Sequence, residues 1–431
     1  MTDSTYSQWH APVASSALQA TVALPGSKSL TNRELVLAAI AAEPTQFAGA
    51  LVSRDSSLML AALQTLGSEV VGGGTTSPKV SPATLSASAT IDCGLAGTVM
   101  RFVPPLSTLN RGSITFDGDE GARKRPMDTT ITSLRALGAE VSAEALSLPF
   151  TVLGTGEVVG GELTIDASSS SQFVSGLLLV APRFKNGLTL RHVGDHLPSL
   201  PHIEMTLECL RERGVSVSNP EPSVWRVGPG PVSGGFKQIE PDLSNAGPFL
   251  AAAMVAGGSV TIPDWPTKTT QVGNDFDGIL QQMGASIVRD ERGLTITGSG
   301  SGSIKGIDID LSRGGELAQV VAALAVLADS PSRIKGIAHI RGHETDRLAA
   351  MATEINRIGG NATETEDGWE IVPTNTMHGG LWKTYDDHRM ATAGAIIGLR
   401  VPGVIVENIE TTSKTMPNFP AMWQQLLGEK A

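Results

Sequence analysis

Residues 276–296 read FDGILQQMGASIVRDERGLTI, and the order of residue types in that stretch decides the fold. Phe276, Ile279, Leu280 and Met283 fall at i, i+3, i+4 and i+7, the spacing of one apolar helix face. Gly284 then supplies a residue that tolerates the left-handed C-cap conformation. Residues 285–288 and 294–296 follow as short β-rich runs, separated by the turn-forming stretch 290–293.

Working outward, the same order recurs. Ile203, Leu207 and Leu210 make the helix face before Gly214, with Pro201 suited to the first turn. Leu348, Met351, Ile355 and Ile358 make it before Gly359. The punctuating glycines are Gly67, Gly138, Gly214, Gly284, Gly359 and Gly428, at spacings of 71, 76, 70, 75 and 69 residues. Earlier in each repeat lies a helix of small residues and then a short strand, as at 112–116, 187–190, 258–262 and 403–406. The repeat is therefore βαβαββ, used six times, and the fold class is α/β (α+β).

Six repeats suggest two domains of three units each. Pro25-Gly26 and Glu240-Pro241-Asp242 are the expected crossing points, since proline fixes the backbone and limits strand pairing. One domain is then discontinuous, residues 1–26 with 241–431, and the other runs over 27–240. A chain of 431 residues exceeds one ordinary core in any case.

Composition excludes several function classes. The net charge is -11 and no basic stripe or Lys/Arg-aromatic interleaving occurs, so nucleic acid is not expected as a partner. The longest apolar stretch, 317–328, is too short for a membrane span. The first ten residues hold no Lys or Arg and no apolar run, so no secretory signal is expected. Two cysteines, Cys93 and Cys209, without C-x-x-C, fit a reducing cytoplasm.

Conventional motifs are few. PGSKS at 25–29 lacks the upstream glycine of a Walker loop, which argues against an ATP site. Asp386, Asp387 and His388 are adjacent rather than spaced as helical ligands, so no metal is expected. Polar residues instead concentrate just before the small-residue helices. Ser27, Lys28, Ser29, Asn32 and Arg33 precede or open the first, Ser168 to Gln172 the third, Glu316 the fifth, and Tyr385 to Arg389 the sixth. Helix N-termini offer unpaired N–H groups to phosphate and carboxylate, and Lys28, Arg33, Arg125 and Arg389 add full charges. Each serine taken alone is equally an N-cap. In HETDR at 343–347, Thr345 or Asp346 is a plausible cap. Glu344 beside Arg347 reads either as a surface pair or as a proton-transfer group.

PGSKSLTNR (25–33), GLAGTVMR (94–101), RKRP (123–126), SSSSQF (168–173), GHETDR (342–347), YDDHRM (385–390) and SKTMPNF (413–419) resemble, in order, the motifs of EPSP synthases. The resemblance runs over about 20–425 and implies a two-domain inside-out α/β barrel with three βαβαββ units per domain and the active site in the interdomain cleft. It implies transfer of enolpyruvyl from phosphoenolpyruvate to the 5-hydroxyl of shikimate 3-phosphate, with no cofactor, in a cytoplasmic monomer that binds neither membrane nor nucleic acid. Carried over by position, Lys28, Glu316 and Glu344 are the catalytic residues. Lys28, Ser29, Arg33, Ser170, Ser171, Gln172, Ser199, Glu316, His339 and His343 are expected at shikimate 3-phosphate. Lys28, Gly97, Arg125, Gln172, Arg347, Arg389 and Lys414 are expected at phosphoenolpyruvate, and Gly97 implies sensitivity to glyphosate. Leu95, Phe102, His339 and His343 depart from the residues many members carry there.

The sister enzymes that load UDP-N-acetylglucosamine usually carry a reactive cysteine before the arginine matched by Arg125, and 111–125 contains none. A non-catalytic binding module would not need Lys28, Arg125, Glu316, Glu344, Arg347, Arg389 and Lys414 together.

Overall fold

All six punctuating glycines lie in left-handed backbone, with φ between 77° at Gly214 and 114° at Gly67. Each follows the amphipathic helix of its repeat in the computed structural model, which describes residues 7–194 and 196–428. Those helices are Arg54–Thr65, Asp128–Ala136, Leu200–Glu212, Phe276–Gln282, Arg347–Arg357 and Phe419–Leu426. Their apolar faces are buried as the spacing predicts: Phe276, Leu280, Met283, Leu348, Met351, Ile355 and Ile358 have no exposed surface.

The small-residue helices behave differently. Lys28–Ala39, Gly97–Ser107, Gln172–Val180, Leu243–Ala256, Ala318–Val326 and His388–Gly398 are buried nearly all round. A helix apolar on every face has no side for water and must lie in a core. Within residues 26–240 the first three of these helices pack on one another, and the last three do so within 1–25 with 241–431. Contacts divide the chain into those two compact units.

Sheets cover these cores. In the sheet Ala89–Asp92, Arg111–Asp117, Phe150–Thr155 and Glu140–Ala143, the first two strands are parallel and the remaining pairings antiparallel. Register sets Ile114 opposite Val152 and Phe116 opposite Phe150, and these inward residues are buried, the two rings stacked at 5.3 Å. Alternate residues face out, the pattern of a sheet with one covered face. The order recurs in four other four-stranded sheets.

The repeat is exchanged at the two crossing points. Leu18–Thr21 precedes the helix Lys28–Ala39 in sequence but pairs in parallel with Gly258–Ile262. Gly235–Gln238 pairs in parallel with Thr45–Ala48, supplying the strand that the first repeat gave away. The sixth sheet has three strands among the described residues. Gly380–Trp382 and Val404–Glu407 come from the end of the chain, and Gln8–His10 from its beginning, antiparallel to Val404–Glu407. The sixth repeat thus differs from the uniform βαβαββ expectation because its outer strand comes from the opposite end of the chain.

Cys93 and Cys209 are both buried and unbridged. Burial pushes the Cys93 thiol up to about 12 and raises that of Cys209 well above its ordinary value. Among the described residues no helix is long and apolar enough to cross a membrane.

Candidate functional site

Five of the six small-residue helices open next to candidate site residues singled out from the sequence, so each unit presents its own cluster of polar groups. In the unit 26–240, Ser27 caps the first helix by accepting from the Leu30 amide, and Lys28 begins it. The Lys28 ammonium lies 3.8 Å from the Asp55 carboxylate. One turn on, the Asn32 side-chain amide donates to Thr98 Oγ1 at 2.6 Å, tying this helix to the start of Gly97–Ser107.

Gly97, Arg125 and Gln172 converge. A Cβ at Gly97 would stand 3.1 Å from Gln172 Oε1 and 3.2 Å from both terminal nitrogens of Arg125. Among the described residues Arg125 Nη1 reaches only the Leu95 carbonyl, at 3.4 Å. Arg125 Nε, Gln172 Oε1 and Asn32 Oδ1 are buried without a hydrogen-bond partner among the described residues. Buried polar atoms are nearly always paired, so unsatisfied atoms at adjoining helix starts mark a place built for a polar guest. The uncapped N-terminus at Ala96, whose side chain offers no acceptor, adds free N–H groups of the right sign for an anion.

Ser170 Oγ accepts from the Gln172 amide at 3.2 Å, and Ser171 is buried at the same helix start. Ser199 is left-handed, with φ 52°, directly before the helix Leu200–Glu212. Arg33 points inward: it is 1% exposed and donates to Thr206 Oγ1, the Ser29 and His202 carbonyls and Ser175 Oγ. Its guanidinium also lies 5.2 Å from the Phe102 ring. In this structure Arg33 braces three helices.

In the other unit, Asp346 caps the helix Arg347–Arg357 by accepting from the Leu348 and Ala349 amides. Arg347, 2% exposed, is the hub of an ionic network. Its Nε and Nη2 donate to the two oxygens of Asp387 at 2.7 and 3.2 Å, Nη2 also to Glu344 at 2.9 Å, and Nη1 meets His343 Nδ1 at 2.9 Å. Lys414 closes on the other oxygen of Glu344 at 2.5 Å. Burial alone would lower the Arg347 pKa, but the carboxylates of Asp387 and Glu344 outweigh it and the net shift is upward.

Arg389 is held differently. Its backbone amide is capped by Asp387 at 2.8 Å, while its guanidinium makes no hydrogen bond or ion pair among the described residues. Burial and then the like charge of Arg347 lower its pKa, against the opposing fields of Glu316, Asp242 and Asp387. A half-buried cation with a depressed pKa and no counter-ion in contact among the described residues is one that an incoming anion would stabilise. The turn before it is fixed by two left-handed residues, Tyr385 and Asp386. Tyr385 donates to the buried Glu354 at 2.7 Å, and Asp386 accepts from Asn408 at 2.8 Å. Glu316 lies in the turn Gly315–Leu317 that leads into the helix Ala318–Val326. His339 packs against Gly315, whose added Cβ would be 2.6 Å from His339 Nε2, and its ring centre is 6.1 Å from that of His343.

The structure therefore brings Gly97, Arg125 and Gln172 together in one unit, and His343, Glu344, Arg347 and Lys414, with Arg389 in their field, in the other. Sequence reading missed two partners. Asp387 stands out in the sequence as one of the polar residues opening the sixth helix and as a rejected metal ligand, but it is the counter-ion of Arg347. Asn32 was one of several polar residues near a helix start, and its link to Thr98 has no signal in spacing.

Comparisons with known proteins agree over nearly the whole chain. Residues 13–423 match the family model of EPSP synthase (3-phosphoshikimate 1-carboxyvinyltransferase). A 3-phosphoshikimate 1-carboxyvinyltransferase of Kocuria rhizophila is 56% identical over 98% of this chain and 97% of its own length. Two solved EPSP synthases from Acinetobacter baumannii share the fold, with TM-scores of 0.81 and 0.80 at 24% and 23% identity, each over 97% of this chain and 98% of theirs. On fold, ordered motifs and relatives together, the chain belongs to the EPSP synthase family.

Proposed function

We propose that this transferase moves the enolpyruvyl group of phosphoenolpyruvate to the 5-hydroxyl of shikimate 3-phosphate, and that the two polar clusters act together on the substrates. The observation that carries this reading is the complementary state of the clusters. One holds unsatisfied buried atoms at Asn32, Arg125 and Gln172, and the other a guanidinium, Arg389, without a contacting carboxylate.

In this reading Ser170, Ser171, Gln172 and Ser199, with Lys28 and Ser29, receive shikimate 3-phosphate. Arg125, Arg347, Arg389 and Lys414 receive phosphoenolpyruvate, and Gly97 leaves room for it. Arg33 supports the shikimate 3-phosphate side from beneath, because its donors are occupied by protein. In the same reading His339, His343 and Glu316 contact shikimate 3-phosphate.

The reaction needs a base for the 5-hydroxyl and an acid for the methylene carbon. Glu316 takes the hydroxyl proton as the oxygen bonds to the central carbon of phosphoenolpyruvate. Glu344 with Lys28 protonates the methylene carbon to a methyl group, giving a tetrahedral intermediate. A proton then leaves the methyl group to Glu344, the carbon–oxygen bond to phosphate breaks, and the cations carry the departing charge. Lys414 and Arg347 hold the Glu344 carboxylate from both sides, which suits it to take the proton in the elimination step, while the proton delivered in the addition step comes from the Lys28 ammonium. Proton NMR of the protein with both substrates tests the reaction itself: new vinyl resonances of an enol ether are expected, and their absence overturns the reading.

A further inference from the structure

His192 ends the strand Leu188–His192, whose parallel partner Gly161–Ile165 runs into the serine-rich loop 166–171. The imidazole is 7% exposed, and its Nδ1 takes the Ala167 backbone N–H at 3.0 Å. A backbone amide can only donate, so Nδ1 carries the lone pair and the neutral ring has its proton on Nε2. Nε2 is buried and has no hydrogen-bond partner among the described residues.

The bond made by Nδ1 is the first of a series. The Ala167 carbonyl accepts from the Ser170 amide at 3.1 Å, and Ser170 Oγ accepts from the Gln172 amide at 3.2 Å. The loop is also pinned where Asp166 Oδ1 accepts from the Ser168 amide at 2.9 Å. On the other side of the ring the chain passes Gly194. A Cβ there would stand 1.9 Å from Ser168 Oγ, 2.5 Å from Asp166 Oδ1 and 2.6 Å from His192 Cε1. The segment beginning at Gly194 leads to Ser199. The imidazole thus touches the loop that carries Ser170, Ser171 and Gln172 through the Ala167 amide, and its Cε1 faces Gly194.

We propose that His192 is a positioning residue for shikimate 3-phosphate: as the Nε2–H tautomer it holds the Ala167 peptide, and through it the serine loop, in the conformation that receives the substrate. This rests on the reading of Ser170, Ser171, Gln172 and Ser199 as shikimate 3-phosphate contacts. His192 touches no substrate and takes no part in proton transfer. A residue acting only on the core would affect both substrates and overall stability alike, whereas this one acts on a single binding loop.

The test compares His192→Leu, which fills the space without an acceptor, with His192→Asn, whose Oδ1 stands near the place of Nδ1. His192→Leu is expected to raise KM for shikimate 3-phosphate about tenfold, the value of one good hydrogen bond, with KM for phosphoenolpyruvate within about twofold. His192→Asn is expected to restore most of that loss. Equal KM values in both variants and the wild type, or a parallel rise in both KM values with a common fall in Tm, would overturn the proposal. If the variants do not fold, ¹⁵N NMR of the histidine rings in the wild-type protein still decides. An unprotonated Nδ1 at His192 whose signal moves on adding shikimate 3-phosphate, and not phosphoenolpyruvate, supports it. A protonated Nδ1, or a ring signal unmoved by shikimate 3-phosphate, overturns it. Wild-type protein that neither binds nor turns over shikimate 3-phosphate would instead be a failure of the functional reading.

Discussion

Replacing Asp387 by Asn isolates the interaction on which the ionic cluster depends. Asp387 is fully buried and gives both oxygens to Arg347, itself 2% exposed, while one of those oxygens also caps the Arg389 amide. Asparagine keeps the shape and one acceptor but turns an NH₂ toward a guanidinium that has only donors. Breaking a buried ion pair from one side costs about 3–5 kcal/mol, because the remaining charge is left without its partner. Glu344 still faces Arg347 at 2.9 Å, which places the expected loss near the lower end, about 3 kcal/mol. Five of the six tryptophans, Trp9, Trp265, Trp369, Trp382 and Trp423, belong to the same unit as Asp387, so urea unfolding followed by tryptophan fluorescence reports on it. Arg347 would also lose its fixed orientation, and kcat/KM is expected to fall about 100-fold. A stability change below about 0.5 kcal/mol, the range of an ordinary surface substitution, would refute the claim that Asp387 anchors Arg347.

Three further outcomes follow from the same geometry. Gly97→Ala puts a methyl 3.1–3.2 Å from Gln172 Oε1 and the Arg125 guanidinium, so steady-state kinetics should show KM for phosphoenolpyruvate about tenfold higher and that for shikimate 3-phosphate nearly unchanged. Glu344→Gln should lower turnover by about 10²–10⁴ while phosphoenolpyruvate binding, measured by calorimetry, is not weakened, because the lost carboxylate competes with substrate for Lys414 and Arg347. Cys93 and Cys209, whose burial raises both thiols, should resist alkylation at pH 8 in the folded protein and react in urea. The same raised values mean that their contribution to stability is complete below the unfolded-state thiol pKa and is lost as pH climbs toward 12.

The periodic parts of the fold were legible for a physical reason. A helix stopped by a left-handed residue needs glycine, so the glycine series from Gly67 to Gly428 reports six helix ends directly. The turn at 290–293 was equally plain, and the paired strands came out as Ser286–Asp290 and Gly293–Gly298, longer than the apolar runs because exposed strand ends carry polar residues. The pairings of Leu18–Thr21 and Gly235–Gln238 were not legible, since strand exchange depends on contacts 240 residues apart in the first case and 190 in the second. In the site, residue types located the clusters but not the partners. Nothing in the string PGSKSLTNR says that the Arg33 guanidinium points inward to Thr206 and His202 while Lys28 lies near Asp55. His192 was invisible for the same reason, a lone histidine at the end of an apolar strand.

Phosphate release from phosphoenolpyruvate, measured with shikimate 3-phosphate and with UDP-N-acetylglucosamine as separate acceptors, tests the central claim most directly. Release with shikimate 3-phosphate alone is the predicted result. Release with the nucleotide sugar, or with neither acceptor while the ligands still bind, would contradict it.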